Sequence, residues 1–344
     1  MRILVYEFAS GGGFSGRNVP ASLAREGLAM LSALVTDLSL MRHHDIVTTL
    51  DRRFNLVAPP GVKVVPVSPG DGRPSLDKLI ASADAVWLIA PETDRCLERL
   101  AACVERHGRQ LLGSGALAIR RASNKSALPR LLAAHNLPYP QTRILRPGAG
   151  SLDAKTAARQ VGYPLIVKPA RGAGCEGVSL VRAPGALRQA IDAARALGRR
   201  GPVLLQQYVQ GVPASVSLLA DGRRAVALTV NRQVLRGSTT FSYRGGTTPF
   251  DHAQADRAVD AALRTCAAFP GLRGYVGVDL ILTRSDAFVI EINPRLTTAY
   301  LGVRAVIDGN VAGMAIGACE GILPAAPMVH GTVRFTASGG VSAA

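Results

Sequence analysis

The chain has 344 residues, 48% of them apolar and 19% charged, with a formal net charge of +16. That length and apolar content suit a globular protein of two or three domains and exclude a disordered chain. No stretch reaches the ~18 uninterrupted apolar residues of a membrane span, and the arginines are spread over every segment without aromatic interleaving, so neither a membrane protein nor a specific nucleic-acid surface is read from the charge.

Arg2 to Phe8 reads as a short apolar strand, and Glu7 breaks its apolar run too early for a secretory signal. Ala9 to Gly16 is a flexible glycine-rich loop, and Val19 to Leu40 reads as a helix with Pro20 in its first turn. Gly11-x-Gly13-x-x-Gly16 formally matches a dinucleotide fingerprint, but the acid expected ~20 residues on is missing, because the next strand ends only at Asp51. The loop is expected instead to face a phosphate or carboxylate at a helix N-terminus. Strands at 45–50, 62–67, 85–89 and 110–113, with helices at 76–83 and 94–107, predict a small parallel sheet covered on both faces. Glu92 follows a strand of that sheet and either meets substrate or caps the next helix.

Leu117 to Ala122 leads into Ser123-Asn124-Lys125 and a helix through Ala134, followed by a helix at 154–161. Tyr163 to Val181 then reads strand, glycine-rich turn, strand. Lys168 ends the first strand, and Gly172, Gly174 and Gly177 let backbone N–H groups approach phosphate oxygens closely. Lys125 and Lys168 are two of only five lysines in the chain, the others being Lys63, Lys78 and Lys155. A helix at 184–197 and the segment Val203 to Gly211, with Gln206, Gln207, Tyr208 and Val209, follow. Antiparallel strands are predicted at 214–219 and 224–231 around an Asp221-Gly222 turn. Gln233 to His252 is read as a long polar loop. Arg236 and Arg244 in it carry planar forks suited to a carboxylate, and the loop is expected to order over an acidic substrate and exclude water.

Tyr275 to Leu301 is the most informative stretch. Apolar residues alternate over 276–282 and 288–292 around a polar turn at 283–286, which predicts a β-hairpin. Period 2 puts Glu291 and Asn293 on one strand face, with Asp279 able to sit opposite and Arg295 two residues on. Two adjacent carboxylates need positive charge between them, and oxygen-only ligands that leave room for phosphates suit Mg²⁺. Residues 302–320 read as helix, and the last ~20 residues as a loose strand and tail.

Asp279 and Glu291-x-Asn293-Pro-Arg295 resemble the metal-binding end of the ATP-grasp carboxylate–amine ligases. Asn124-Lys125, Val167-Lys168-Pro169 with Arg171 to Gly177, and the Gln206–Val209 linker resemble that family's two lysines, phosphate lid and adenine segment, in the same order. The opening Leu4 to Gly13, Pro213 to Ser217 and Asn293 to Thr298 are most similar to the branch that contains tyramine–glutamate ligase of methanofuran biosynthesis. The resemblance implies an ATP-grasp fold of α/β and α+β type. It comprises a Rossmann-like pre-ATP-grasp domain over 1–114, a lid subdomain over 115–205 and a metal and substrate subdomain over 206–344. It implies ATP held by Lys125, Lys168, Gly172, Gly174, Gly177 and the backbone of Gln206, Gln207, Tyr208 and Val209. It also implies Mg²⁺ (or Mn²⁺) on Asp279, Glu291 and Asn293, with Arg295, Lys168 and Arg236 acting on the reacting groups. The acid usual for ribose is replaced by Pro213, which leaves Ser215 or a main-chain group for that task. The implied reaction joins a glutamate-like acid to an amine through an acyl phosphate, so the partners are small-molecule acid and amine substrates. A homo-oligomer is compatible with the sequence. Five cysteines at no metal-like spacing suit a cytoplasmic setting. The alternatives are a bicarbonate-using carboxylase of the same family, for which no biotin-carrier segment is seen, and a non-catalytic nucleotide- or nucleic-acid-binding protein.

Overall fold

The computed structural model describes residues 1–14, 16–68, 72–198 and 201–344, the side chains of residues 72–74 excepted; Ser15 of the first glycine-rich loop lies outside the described residues. Strands β1 (Arg2–Glu7), β2 (Asp45–Asp51), β3 (Val62–Val67), β4 (Ala85–Ile89) and β5 (Gln110–Leu111) form a parallel sheet in the order β3-β2-β1-β4-β5. Near-continuous apolar runs such as Ile3-Leu4-Val5 are what a strand buried on both faces requires. Helices α2 (Gly72–Ser82) and α3 (Cys96–Arg106) cover one face, where Leu4, Val47, Ile80, Leu97 and Val104 pack together.

Helix α1 (Ala21–Ser39) covers the other face and has a second partner. Leu31, Leu34 and Leu38 share a core with α9 (Tyr300–Val306) and α10 (Val311–Cys319), near the other end of the chain. The contact is stapled by Asp37. Its carboxylate accepts from the Tyr300 hydroxyl at 2.5 Å and from the Arg304 guanidinium, and its carbonyl accepts from Asn310 Nδ2 at 2.6 Å. Residues 302–320 are thus two helices interrupted at 307–310, and not one. The break is made by Asn310, whose side chain caps α10 by accepting from the Gly313 N–H at 3.0 Å.

Helices α4 (Ala116–Ala122) and α5 (Leu128–Ala134) lead into a four-stranded antiparallel sheet, β6-β9-β7-β8. It is built from β6 (Thr142–Leu145), β7 (Leu165–Pro169), β8 (Ser179–Val181) and β9 (Val203–Gln207), and α6 (Ser151–Val161) and α7 (Leu187–Leu197) pack on it. The third sheet is antiparallel and seven-stranded, in the order β14-β13-β10-β11-β12-β15-β16. Its strands are β10 (Val212–Asp221), β11 (Ala225–Arg236), β12 (Ser242–Thr248), β13 (Arg273–Leu282), β14 (Ala287–Asn293), β15 (Val333–Thr336) and β16 (Val341–Ala343), with α8 (Ala255–Ala267) against one face.

Two expectations are corrected here. Gln233 to His252 is not a long loop. Most of it lies in β11 and β12, paired from Arg232↔Thr247 to Arg236↔Ser242, and the tip at 237–241 reaches the small sheet through Thr239 O, which accepts from Leu180 N at 2.7 Å. The C-terminal segment does hold the expected strand, but it is not loose. β15 pairs with β12, and Phe335, 3% exposed, fills the space left by Gly246 and Gly302. Glycine in a strand commonly marks such close approach.

Candidate active site

Strands β13 and β14 form the predicted hairpin, with Asp279 the cross-strand partner of Glu291 and Gly277 that of Asn293. A β-bulge between Asp279 and Leu280 shifts the register at this point, a device that re-aims side chains beside functional sites. Asp279 Oδ2 accepts from Asn293 Nδ2 at 3.0 Å, and Asp279 Oδ1 accepts from Gln233 Nε2 of β11 at 3.0 Å. Lys125 Nζ lies 2.6 Å from Glu291 Oε2, with both side chains largely buried. Lys168 is 4% exposed, and no ion pair or hydrogen bond engages its ammonium among the described residues.

The charges do not balance pairwise. Burial pushes the Asp279 carboxyl up to about 7, and the Glu291 charge beside it adds to the rise. Burial works to raise Glu291 as well, but Lys125 and Lys168 outweigh it and hold that carboxyl below its ordinary value. Burial and then Lys125 bring the Lys168 ammonium down to about 8. Lys125 itself is raised, because Glu291 more than offsets its desolvation. The structure therefore gathers two carboxylates, two ammonium groups and an amide in one buried space, and among the described residues one ion pair, Lys125–Glu291, is closed. Buried charges are normally paired, so an unpaired ammonium beside an under-compensated carboxylate calls for a ligand carrying both signs. The oxygen-only set Asp279, Glu291 and Asn293 fits a hard divalent cation, and Lys168 fits phosphate.

Residues 171–177, between β7 and β8, stand beside this cluster. Only the Ala173 N–H in that stretch donates to another described group, the Thr93 hydroxyl at 3.2 Å. The Gly172, Gly174 and Gly177 N–H groups stay available among the described residues, and all three glycines have positive φ. In the linker, the Gln206 side chain is turned away to Thr142 at 3.0 Å. Gln207 and Tyr208 spend their N–H groups on Gln141 O and Pro164 O, which among the described residues leaves the Val209 N–H as the free backbone donor there. Ser215 is 6% exposed and engaged by Asn231 Nδ2 at 3.2 Å, so it is not free for a ribose hydroxyl.

The glycine-rich loop after β1 does not face an external anion. Glu7 is 3% exposed, and its own carboxylate accepts from Ala9 N, Ser10 N and Ser10 Oγ at 2.9, 2.5 and 2.6 Å. Burial pushes the Glu7 carboxyl up against those hydrogen bonds. Gly11 and Gly13 donate to Glu7 O and Phe8 O, and a Cβ at either would collide with the same two residues. The N–H groups of Ala9, Ser10, Gly11 and Gly13 are thus satisfied within the turn, and α1 begins only at Ala21.

Arg295 is brought to the end of the hairpin but is not free. Its Nε and Nη2 donate to Glu92 Oε1 and Oε2 at 2.8 and 3.0 Å, and Nη1 donates to Leu296 O at 3.1 Å. Glu92 thus neither caps a helix nor stands open to substrate; it pairs with Arg295. Arg236 is exposed at the end of β11 and makes no hydrogen bond or ion pair with the cluster among the described residues, and Arg244 is exposed on β12. Besides Gln233, Tyr243 of that hairpin approaches the cleft. Burial lifts its hydroxyl well above the ordinary value, with Glu26 and Asp279 among the charges that add to the rise. Gln233, Tyr243 and Glu26 carried no sequence signal, since strand order within the third sheet places the first two and the contact of α1 with Thr298 places the third. A separate trio, Asp77, Cys103 and His107, has donor atoms within 4.8 Å of one another. Its thiol is satisfied by Asp77 at 3.2 Å, and it shares no residue with this site.

Comparison with known proteins gives the family. An ATP-grasp domain model matches residues 122–299, and a pre ATP-grasp 3 domain model matches residues 44–119. The chain belongs to the ATP-grasp family. It is 31% identical over 201 residues to D-alanine–D-alanine ligase of Ralstonia pickettii, covering 55% of this chain and 59% of that one. It is 36% identical over 103 residues to tyramine–L-glutamate ligase of Methanocaldococcus jannaschii, covering 29% of this chain and 32% of that protein. The chain thus spans less than two thirds of the length of these relatives. A putative ATP-grasp superfamily protein from Archaeoglobus fulgidus superposes with a TM-score of 0.69 at 25% identity, over 97% of this chain and 92% of the other. Biotin carboxylase from Campylobacter jejuni, solved as a β-γ-ATP complex, shares the fold with a TM-score of 0.75 at 18% identity, over 97% of this chain and 74% of the other. ATP-grasp enzymes use ATP with Mg²⁺ or Mn²⁺. No helix among the described residues is long and apolar enough to cross a membrane.

Proposed function

We propose that the protein is an ATP-dependent ligase that joins a carboxylate to an amine through an acyl phosphate, releasing ADP and phosphate. The observation that carries this reading is Lys168, a 4% exposed lysine whose ammonium has no ion pair or hydrogen bond among the described residues. It stands beside the Lys125–Glu291 pair and Asp279, under a glycine loop with uncommitted N–H groups. On this reading the lid amides, Lys125 and Lys168 hold the ATP phosphates, and the Val209 N–H meets adenine. Asp279, Glu291 and Asn293 would hold Mg²⁺ (or Mn²⁺), which when bound supplies charge to neutralise the phosphates.

A carboxylate oxygen of the acid attacks the γ-phosphorus and ADP leaves. The amine nitrogen then attacks the acyl carbon, phosphate departs with the carboxylate oxygen, and the amine gives up a proton. Such chemistry is mainly positioning and charge stabilisation. Arg295, oriented by Glu92, has N–H groups left over for the acyl phosphate or the tetrahedral oxyanion. The match to tyramine–L-glutamate ligase makes glutamate and an aryl-ethylamine the first pair to try, with a place in methanofuran-type cofactor building as the corresponding role.

The test is incubation with ATP, Mg²⁺ and acid–amine pairs, read by product mass and by ¹⁸O passing from the labelled acid into phosphate. Release of AMP and pyrophosphate overturns the reading. ATP turnover that needs bicarbonate and no amine favours the carboxylase instead.

A further inference from the structure

The turn Pro91–Arg95, at the end of β4, touches both halves of the site with adjacent residues. Glu92 holds Arg295 through two hydrogen bonds, at 2.8 and 3.0 Å, across 203 positions of sequence. Glu92 is 4% exposed, and the Arg295 side chain 14%. The next residue, Thr93, accepts from the Ala173 N–H at 3.2 Å, in the middle of the glycine lid. The two residues after that, Asp94 and Arg95, lie at φ 55° and 57°, in the left-handed region that side chains other than glycine seldom adopt. Hydrogen bonds from Arg95 N to Glu92 O and from Leu97 N to Pro91 O hold the turn in this shape, and Arg95 is clamped to Glu98 at 2.7 and 2.5 Å. Strained backbone of this kind persists only where its surroundings over-determine it, and it clusters at ligand clamps.

We propose that this turn couples the lid to the arginine: Glu92 is a positioning residue for Arg295, and its grip on Arg295 also keeps Thr93 in place to hold the lid down at Ala173. The proposal rests on the reading of residues 171–177 as a phosphate lid. Glu92 makes no contact with the lid, so its influence there passes through the backbone of the turn. Freed from Arg295, the turn can leave the left-handed conformation, and Thr93 then moves off the Ala173 N–H. The guanidinium that meets the acyl group and the loop that covers the phosphates are in this way set by one short segment.

The experiment measures Mg–ATP affinity by titration and trypsin cleavage after Arg171, which opens the lid at Gly172. Thr93→Val removes the acceptor at nearly constant volume and is expected to weaken Mg–ATP binding about fivefold, the worth of one neutral hydrogen bond. It should also speed Arg171 cleavage of the Mg–ATP-saturated protein by a similar factor. Glu92→Gln is expected to do the same, although it touches neither lid nor nucleotide. The double variant should be no worse than Thr93→Val alone, since both act through one contact. Glu92→Asp, which keeps the charge but shortens the reach, serves if the Gln variant does not fold. Normal affinity and normal lid cleavage in a folded Glu92 variant overturn the coupling, and so do additive effects. Failure of the unaltered protein to bind Mg–ATP is a different result, and it sinks the ligase reading itself.

Discussion

The chain contains two glycine-rich turns that follow strands, and they do opposite things. In the turn after β1, the N–H groups of Ala9, Ser10, Gly11 and Gly13 are all committed, two of them to the carboxylate of Glu7. The anion that such a turn attracts is built into the chain. In the turn after β7, among the described residues the Ala173 N–H alone is committed, and a lysine with no ion-pair partner stands beside it. Glycine content is the same signal in both. What separates a phosphate cradle from a structural turn is whether the donors are already spent.

The distinction can be broken most decisively at the charges next to the second turn. Glu291→Gln removes one of the proposed anionic metal ligands and unpairs Lys125, and should slow turnover by on the order of 100-fold or more with the fold retained. Near-normal ATP turnover in Mg²⁺ would leave the loop with no phosphates to cradle. Lys168→Met should come next, weakening ATP binding by about 10-fold to 100-fold, the worth of a charged hydrogen bond, whereas Lys63→Met changes nothing. Equal effects at the two lysines would reduce the site to general electrostatics. Glu7→Ala sharpens the contrast from the other side. It orphans two buried N–H groups and should cost about 1–3 kcal/mol of stability, seen in thermal melting, while ATP affinity stays as it was. A fall in ATP affinity without loss of stability would erase the difference between the turns. The smallest effect is expected at Gly174, which has φ +64° and open space around it. Gly174→Ala forces a side chain into the left-handed region for about 1–2 kcal/mol, felt as weaker ATP binding at unchanged melting temperature.

The β13–β14 hairpin was readable in the sequence because period and turn chemistry are local, and with them came Asp279 opposite Glu291. The glycine-rich stretch around 172 was readable too, with its strands on either side. The Gln233–His252 segment was not. Its Gly, Ser, Thr and Tyr residues look like loop composition, and only the pairing of β12 with β15, about 90 residues on, makes them a strand. Arg236 and Arg244 seemed apt for a carboxylate on chemistry alone, yet both face solvent while Tyr243 and Gln233 approach the cleft. Glu92 shows the same limit. Its partner Arg295 lies 203 positions away, and no local rule links them. The first glycine-rich turn was misread for the reverse reason, since Glu7 sits within the strand before it and its bonds back to Ala9 and Ser10 depend on a turn geometry that composition does not specify.

The Asp37 staple has a consequence for how the chain is made. Helix α1 closes one face of the first sheet, yet Tyr300 and Asp37, which join it to α9, are 263 residues apart. A ribosome releases the N-terminal sheet long before α9 and α10 exist, so the apolar side of α1 must wait uncovered while the intervening chain is synthesised. Contacts this distant in sequence form late and slowly. The first domain to emerge is therefore among the last to be finished, and a fragment ending before Tyr300 would leave Leu31, Leu34 and Leu38 without the layer that α9 and α10 supply.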